Sequence, residues 1–231
     1  MDTEIKPKKF NPYLIIIIIL ILVVAVFAYN QWGKKIFPNN SENSGDNKDT
    51  TNVDTKVTAD DLQIGRTDAP VTVVEYFSYL CTYCKAFEQE TMPKITENYI
   101  TTGKVRLILR PFPPLETGEA VLCANEQGKF LEYHNHMFAN NDKLKGLDDL
   151  KTFAKSIGLD TEKFDPCLDS AKYKTQSEKW YNQGTTDFVK TNVPTDQRGT
   201  PAFFINGQPI IGAMPYENFV QVIEKALTEI K

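Results

Sequence analysis

Two cysteines with two residues between them, Cys81 and Cys84 in "EYFSYLCTYCKAFE", are the residues best placed to do chemistry in this chain. They follow a β-like run and open a helix-like one. A helix N-terminus presents unpaired N–H groups and the positive end of the macrodipole. A thiolate at Cys81 would be stabilised there, and its pKa drawn well below the free value of about 8.5. Cys84 lies one turn further in, on the same face. The two sulfurs can close a small disulfide in which only the first faces a partner. Thiol–disulfide exchange needs that asymmetry: one exposed attacking sulfur and one shielded resolving sulfur.

Other uses of the pair remain open at this level. A zinc site normally needs a second Cys or His pair at tight spacing, whereas Cys123 and Cys167 stand alone and far apart. His134 and His136 are two apart in a helical stretch, so their side chains diverge and read as one packed and one surface histidine. No metal site is expected. A purely structural Cys81–Cys84 crosslink would constrain one helical turn and stabilise little.

The flanking elements must position the pair. "APVTVVEYFSY" is dense in β-branched and aromatic residues (Val71, Val73, Val74, Tyr76, Phe77), as a strand buried on both faces would be. "CTYCKAFEQETMPKITENYI" reads as a helix with Phe87, Ile95 and Tyr99 on one face and a kink at Pro93. "KVRLILRPF" is a second strand, ended by Pro111, Pro113 and Pro114. Strand, helix, strand in this order implies a right-handed crossover and parallel pairing.

From about 116 to 195 the pattern turns helical. Phe130, His134, Met137 and Phe138 share one helical face; Leu147, Leu150, Phe153, Ala154 and Ile157 repeat the period, and Gly158 supplies a stop. Asp160 can cap a short helix through Phe164, and a longer one starts near Ser170. "PAFFING" and "QPIIGA" flank Asn206-Gly207, a hairpin signal. The last helix, Pro215 to Ile230, carries Phe219, Val222, Ile223, Ala226, Leu227 and Ile230 at helical spacing. The fold class is α/β: a mixed sheet built from β-α-β and β-β-α units, with a helical block inserted between them.

The chain has 231 residues, 26 basic and 30 acidic, for a net charge of −4, and no basic stripe that would mark a nucleic-acid partner. Residues 13–32 contain "YLIIIIILILVVAVFAY", free of charge, Gly and Pro. As a helix it would span roughly 25 Å, the short end of a bilayer crossing. Tyr13, Tyr29 and Trp32 flank it as interfacial aromatics would, and lysines stand on both sides. The expectation is a transmembrane anchor with residues 1–12 cytoplasmic and all that follows exported, as a single-pass cell-membrane protein. "VFA" before Tyr29 leaves a cleaved signal peptide as the rival. Residues 33–60, rich in Asn, Asp, Ser and Thr, read as a flexible linker, and 61–231 as the folded domain.

With these motifs in order ("GRTDAPVTVVEYFSYLCTYC", "EQGKFLEYHNHMF", "FDPCLDS" and "RGTPAFFING") the domain resembles the DsbA-like branch of the thioredoxin superfamily, including its membrane-anchored bacterial members. The resemblance runs from about Leu62 to the C-terminus. It implies a thioredoxin core interrupted by a helical domain, with Cys81 as nucleophile and Cys84 as resolving partner. Pro201 matches the family's cis-proline, and the Thr200 backbone before it would pair with a substrate peptide like an added strand. Glu75 falls where the family carries a buried acid, able to accept a proton from Cys84; Glu88 matches a second acid near the site. The resemblance further implies a structural Cys123–Cys167 disulfide.

The implied activity is thiol:disulfide oxidoreduction on exported cysteine-containing polypeptides, without a bound cofactor. The implied partner is a membrane quinone-linked thiol oxidase of the DsbB or vitamin K epoxide reductase kind. Two departures bear on direction. Thr82 and Tyr83 stand where the best-known oxidase has Pro and His, and Tyr83 cannot supply a positive charge, which points to a milder oxidant. Thr200 also occurs in isomerase and reductase relatives. A reductase or isomerase, or a tethered chaperone with structural cysteines, are the alternatives.

Overall fold

The computed structural model describes residues 57–230. The candidate anchor at 13–32 and most of the expected linker lie outside the described residues. No helix among those described is long and apolar enough to cross a membrane.

Strand β1 is Leu62–Ile64, β2 Val71–Phe77, β3 Val105–Pro111, β4 Ala202–Ile205 and β5 Gln208–Ile211. The described residues form a five-stranded sheet in the order β1-β3-β2-β4-β5. Strands β2 and β3 are parallel, Val71 opposite Val105, while β1–β3, β2–β4 and β4–β5 are antiparallel. Central β2 is buried along its whole length. Its period-2 alternation sends Val71, Val73 and Phe77 into one core layer and Val74 and Tyr76 into another.

Helix α1 (Thr82–Glu90) follows β2 directly, with Cys81 as its N-cap. The helical path breaks at Thr91 and resumes as α2 (Met92–Ile95) with Pro93 in its first turn. Proline lacks the N–H that a continuous helix would need at that position. A single π-turn, Thr96–Ile100, carries the chain towards β3.

The insertion comprises α3 (Leu115–Asn125), α4 (Phe130–Ala139), α5 (Leu147–Ser156), α6 (Thr161–Asp169) and α7 (Lys174–Lys190). Helix α3 is buried continuously from Thr117 to Ala124, so it forms the centre of the block. Cys123 on α3 and Cys167 on α6 are joined, with S–S 2.03 Å and Cα–Cα 6.0 Å. The long α7 returns to the sheet, where Phe188 packs with Val74, Tyr76 and Phe204. Helix α8 (Tyr216–Glu229) covers the opposite layer through Phe219, Ile223 and Ala226.

Several boundaries differ from the sequence reading. Val57 already packs on the sheet, and Thr58 N–H donates to Asp61 Oδ2 at 2.8 Å, so residues 57–60 belong to the domain rather than the linker. The anchor of this segment is Asp61: Arg110 donates to its two oxygens at 2.9 and 2.8 Å, and Trp180 Nε1 donates at 2.8 Å. The edge strand β1 went unread. Helix α6 continues past Phe164 to Asp169 because Cys167 and Leu168 are also buried, and α7 starts at Lys174 rather than near Ser170. Leu147 and Ile230, read as core, are exposed; Leu147 stands at the first residue of its helix and Ile230 beyond the last one, where neighbours run out.

Candidate active site

Cys81 caps α1 in an extended conformation, φ −84° and ψ 120°, because the chain turns there from strand to helix. Its Sγ accepts a hydrogen bond from Cys84 N–H at 3.4 Å. That N–H is one of the orphan donors of the first helical turn. Across the site the Cys81 thiol donates to the Thr200 carbonyl at 3.3 Å. Thr200–Pro201 is a cis peptide. The bend ahead of β4 and the start of α1 thus meet at one sulfur.

The two cysteines are in the dithiol form, Cys81 partly exposed and Cys84 fully buried. Burial pushes the Cys81 thiol up, but the Thr200 side-chain hydrogen bond and the helix-start N–H groups of Cys84 and Tyr83 pull harder. Its pKa falls below that of an ordinary thiol. Cys84 goes the other way. Burial dominates, and the nearby charge of Glu75 adds to it, so its pKa is raised strongly. Opposite shifts on neighbouring thiols separate an attacking group from a waiting one.

Glu75 lies in mid-β2, opposite Leu109 of β3 and Phe203 of β4, and is wholly buried. Among the described residues neither of its carboxylate oxygens has a hydrogen-bond partner. Burial, then repulsion from Glu88, raises its pKa well above the usual carboxylate range. Glu88 Oε1 lies 3.7 Å from His134 Nε2, and His134 Nδ1 shares a 2.9 Å hydrogen bond with the Tyr79 hydroxyl. His134 is buried among aromatic rings; His136 is half-buried against Phe153.

The structure therefore brings Cys81, Cys84, Glu75, Thr200 and Pro201 into one site and sets Cys123–Cys167 apart in the insertion. Sequence reasoning missed the Tyr79–His134 contact, which joins residues 55 apart. It also missed the apolar wall beside Cys81, formed by Phe112 and Tyr181 from the insertion side. Among the described residues no cluster of three or more His, Cys, Asp or Glu is arranged to hold a metal ion.

The family model described as thioredoxin matches residues 57–225. The chain belongs to the thioredoxin family. A Rickettsia felis relative, provisionally named protein-disulfide oxidoreductase, is 29% identical over 184 residues, 76% of this chain and 63% of that protein. This member of the family thus spans just under two thirds of that relative's length. Among solved structures, oxidised BdbD from Bacillus subtilis is 25% identical with a TM-score of 0.63, covering 73% of this chain and 94% of that one. The alpha-DsbA1 of Wolbachia pipientis shares the fold with a TM-score of 0.66 at 24% identity, covering 78% of this chain and all (100%) of that one. These DsbA-type likenesses take in the thioredoxin sheet and the helical insertion together.

Proposed function

We propose that this thioredoxin-family member is a thiol:disulfide oxidoreductase that oxidises exported cysteine-containing polypeptides while held at the outer face of the cell membrane by residues 13–32. The observation that carries the reading is the opposed environment of the two thiols. Cys81 is partly exposed, stands at the N-cap of α1 and is acidified; Cys84 is buried behind it with its pKa raised. The name of the Rickettsia felis relative supports the same chemistry.

The oxidised protein starts with a Cys81–Cys84 disulfide. A substrate thiolate attacks Cys81 Sγ, a new S–S bond forms, and Cys84 leaves as a thiolate. Cys84 needs a proton, and protonated Glu75 is the buried acid able to give it. The substrate's extended backbone lies along Gly199 and Thr200 as an added strand. A second substrate thiolate then attacks the substrate sulfur of the mixed disulfide and expels Cys81. Two electrons have passed to the protein, and the substrate carries the new disulfide. Acidification of Cys81 favours this direction, since stabilising the reduced form makes the disulfide a stronger oxidant. Reoxidation falls to a membrane quinone-linked thiol oxidase of the DsbB or vitamin K epoxide reductase kind.

The test is the reduction potential of the detergent-solubilised full chain against glutathione. A value well above about −200 mV, towards the roughly −120 mV of a strong oxidant, supports an oxidase; one near about −270 mV makes the protein a reductase. Cys81→Ser should abolish oxidation of a reduced, unfolded substrate. Unaltered activity in that variant would leave a chaperone role instead.

A further inference from the structure

A groove of about 500 Å³ opens beside Cys81, lined by Leu80, Phe112, Tyr181, Phe188, Arg198 and Thr200 among others. Its apolar wall is a built feature. Gly184 on α7 has no side chain, and a Cβ there would collide with the Phe112 ring. The tip of the ring therefore rests on the helix at Gly184, with Tyr181 and Phe188 edge-on to it at 5.4 and 6.4 Å between centroids. None of the residues lining the groove is acidic.

At one end stands Arg198. Its Nε donates to the Val193 carbonyl at 2.9 Å, which fixes the guanidinium plane. Among the described residues no carboxylate makes an ion pair with it. A pinned guanidinium with two terminal nitrogens to offer matches the two oxygens of a carboxylate. It sits two residues before Thr200, whose carbonyl touches Cys81 Sγ. A peptide paired antiparallel to this stretch, its cysteine at Cys81, runs its following residues towards Arg198.

We propose that Arg198 is a specificity-determining residue that selects substrate segments with an acidic side chain one or two positions after the reacting cysteine. A neighbouring apolar side chain of the same segment packs on Phe112 and Tyr181. This inference rests on the exchange chemistry proposed above.

The experiment uses the full chain in its disulfide form and reduced two-cysteine peptides identical except for Glu, Gln or Lys after the first cysteine. The readout is the ratio of kcat/KM values for the Glu and Lys peptides, compared between variants, which cancels each peptide's own thiol reactivity. Relative to Arg198→Gln, the wild-type ratio should favour Glu by about three- to tenfold at low salt, and the advantage should shrink as salt is added. Arg198→Glu should reverse the preference, and Arg198→Lys should keep part of it while confirming that the site tolerates substitution. Equal ratios in wild type and Arg198→Gln would overturn the inference and leave the exchange chemistry standing. Failure of the wild-type protein to oxidise any of the peptides would overturn both.

Discussion

Glu75 and Cys84 are both wholly buried, and they are electrostatic neighbours: after burial itself, the Glu75 charge is what lifts the Cys84 thiol. The carboxyl in turn holds its proton well above the usual carboxylate range, through burial and then Glu88, so it adds that lift only once it ionises. One proton near Cys84 is therefore cheap to move between oxygen and sulfur, while a full negative charge on either is costly.

A substitution at Glu75 separates catalysis from stability. A carboxyl whose folded pKa is raised binds its proton more tightly folded than unfolded. Its ionisation costs nothing below the ordinary value of 4.5, and stability falls as pH rises from there towards the folded pKa. Glu75→Gln should remove that fall, so the variant should melt higher than wild type at pH 7 and nearly equal to it at pH 4. Oxidation of substrate should slow by about 10²-fold, the usual contribution of a proton-transfer group. Thermal melts at several pH values together with stopped-flow kinetics check both; a slower but unstabilised variant would contradict the assignment.

The cysteines should titrate apart. In reduced protein the thiolate ultraviolet absorbance should rise with a midpoint below that of an ordinary thiol, owing to Cys81. Cys84→Ser should retain that step and Cys81→Ser should lose it. Alkylation at neutral pH should label Cys81 and spare Cys84, which is buried and has its pKa raised. A lowered pKa stabilises the folded reduced form above the unfolded value, and that gain is lost as pH falls through the folded one. A midpoint at or above that of an ordinary thiol would mean that burial outweighs the helix terminus and Thr200.

Residues that obey a period were the ones legible in advance. Strand β2 reads from its sequence because both its faces are buried and nearly every position is β-branched or aromatic. The Asn206-Gly207 hairpin reads because both residues take positive φ, 46° and 90°. The three residues of β1 carry no period; pairing to β3 alone makes them a strand. Arg198 is an exposed loop residue, and only the approach of α7 to the segment before Pro201 turns it into a groove wall. Glu75 is visible as an acid six residues before Cys81. Its having no hydrogen-bond partner among the described residues is a property of packing, because it stands on the face of β2 that carries Val73 and Phe77 into the apolar core.

The insertion should depend on its crosslink for stability and the site should not. Cys123 and Cys167 are 44 residues apart in sequence, and both are buried. Closing a loop of this length in the unfolded chain is worth about 4 kcal/mol in the chain-entropy model. The double variant Cys123→Ala/Cys167→Ala should lose about 2–4 kcal/mol in urea denaturation. The Cys81 titration should not move, since the crosslink joins α3 to α6 and neither residue is among the groups that shift the Cys81 thiol. A variant of unchanged stability would show that the helical block holds its packing unaided.

The entry of the chain into the domain should be pinned by one ion pair. Asp61 and Arg110 have side chains 1% and 4% exposed, and they bond through both carboxylate oxygens. Burial works against the Asp61 charge, but the Arg110 hydrogen bonds and charge win, so its pKa is lowered. The resulting stability is fully present above the ordinary value of 3.8 and is lost as pH falls through the folded value. Asp61→Asn should therefore cost about 3 kcal/mol at pH 7, the low end for breaking a buried pair. Arg110 keeps its 3.0 Å bond to the Tyr76 hydroxyl, which is why the low end applies. Trp180 of α7 also loses a charged acceptor, so the loosening should be local as well as global. Limited proteolysis should cut first near residues 57–61 in this variant, ahead of any cut in α7. Cleavage at the same rate as wild type would place the hold on this segment elsewhere, in the packing of Val57 on the sheet.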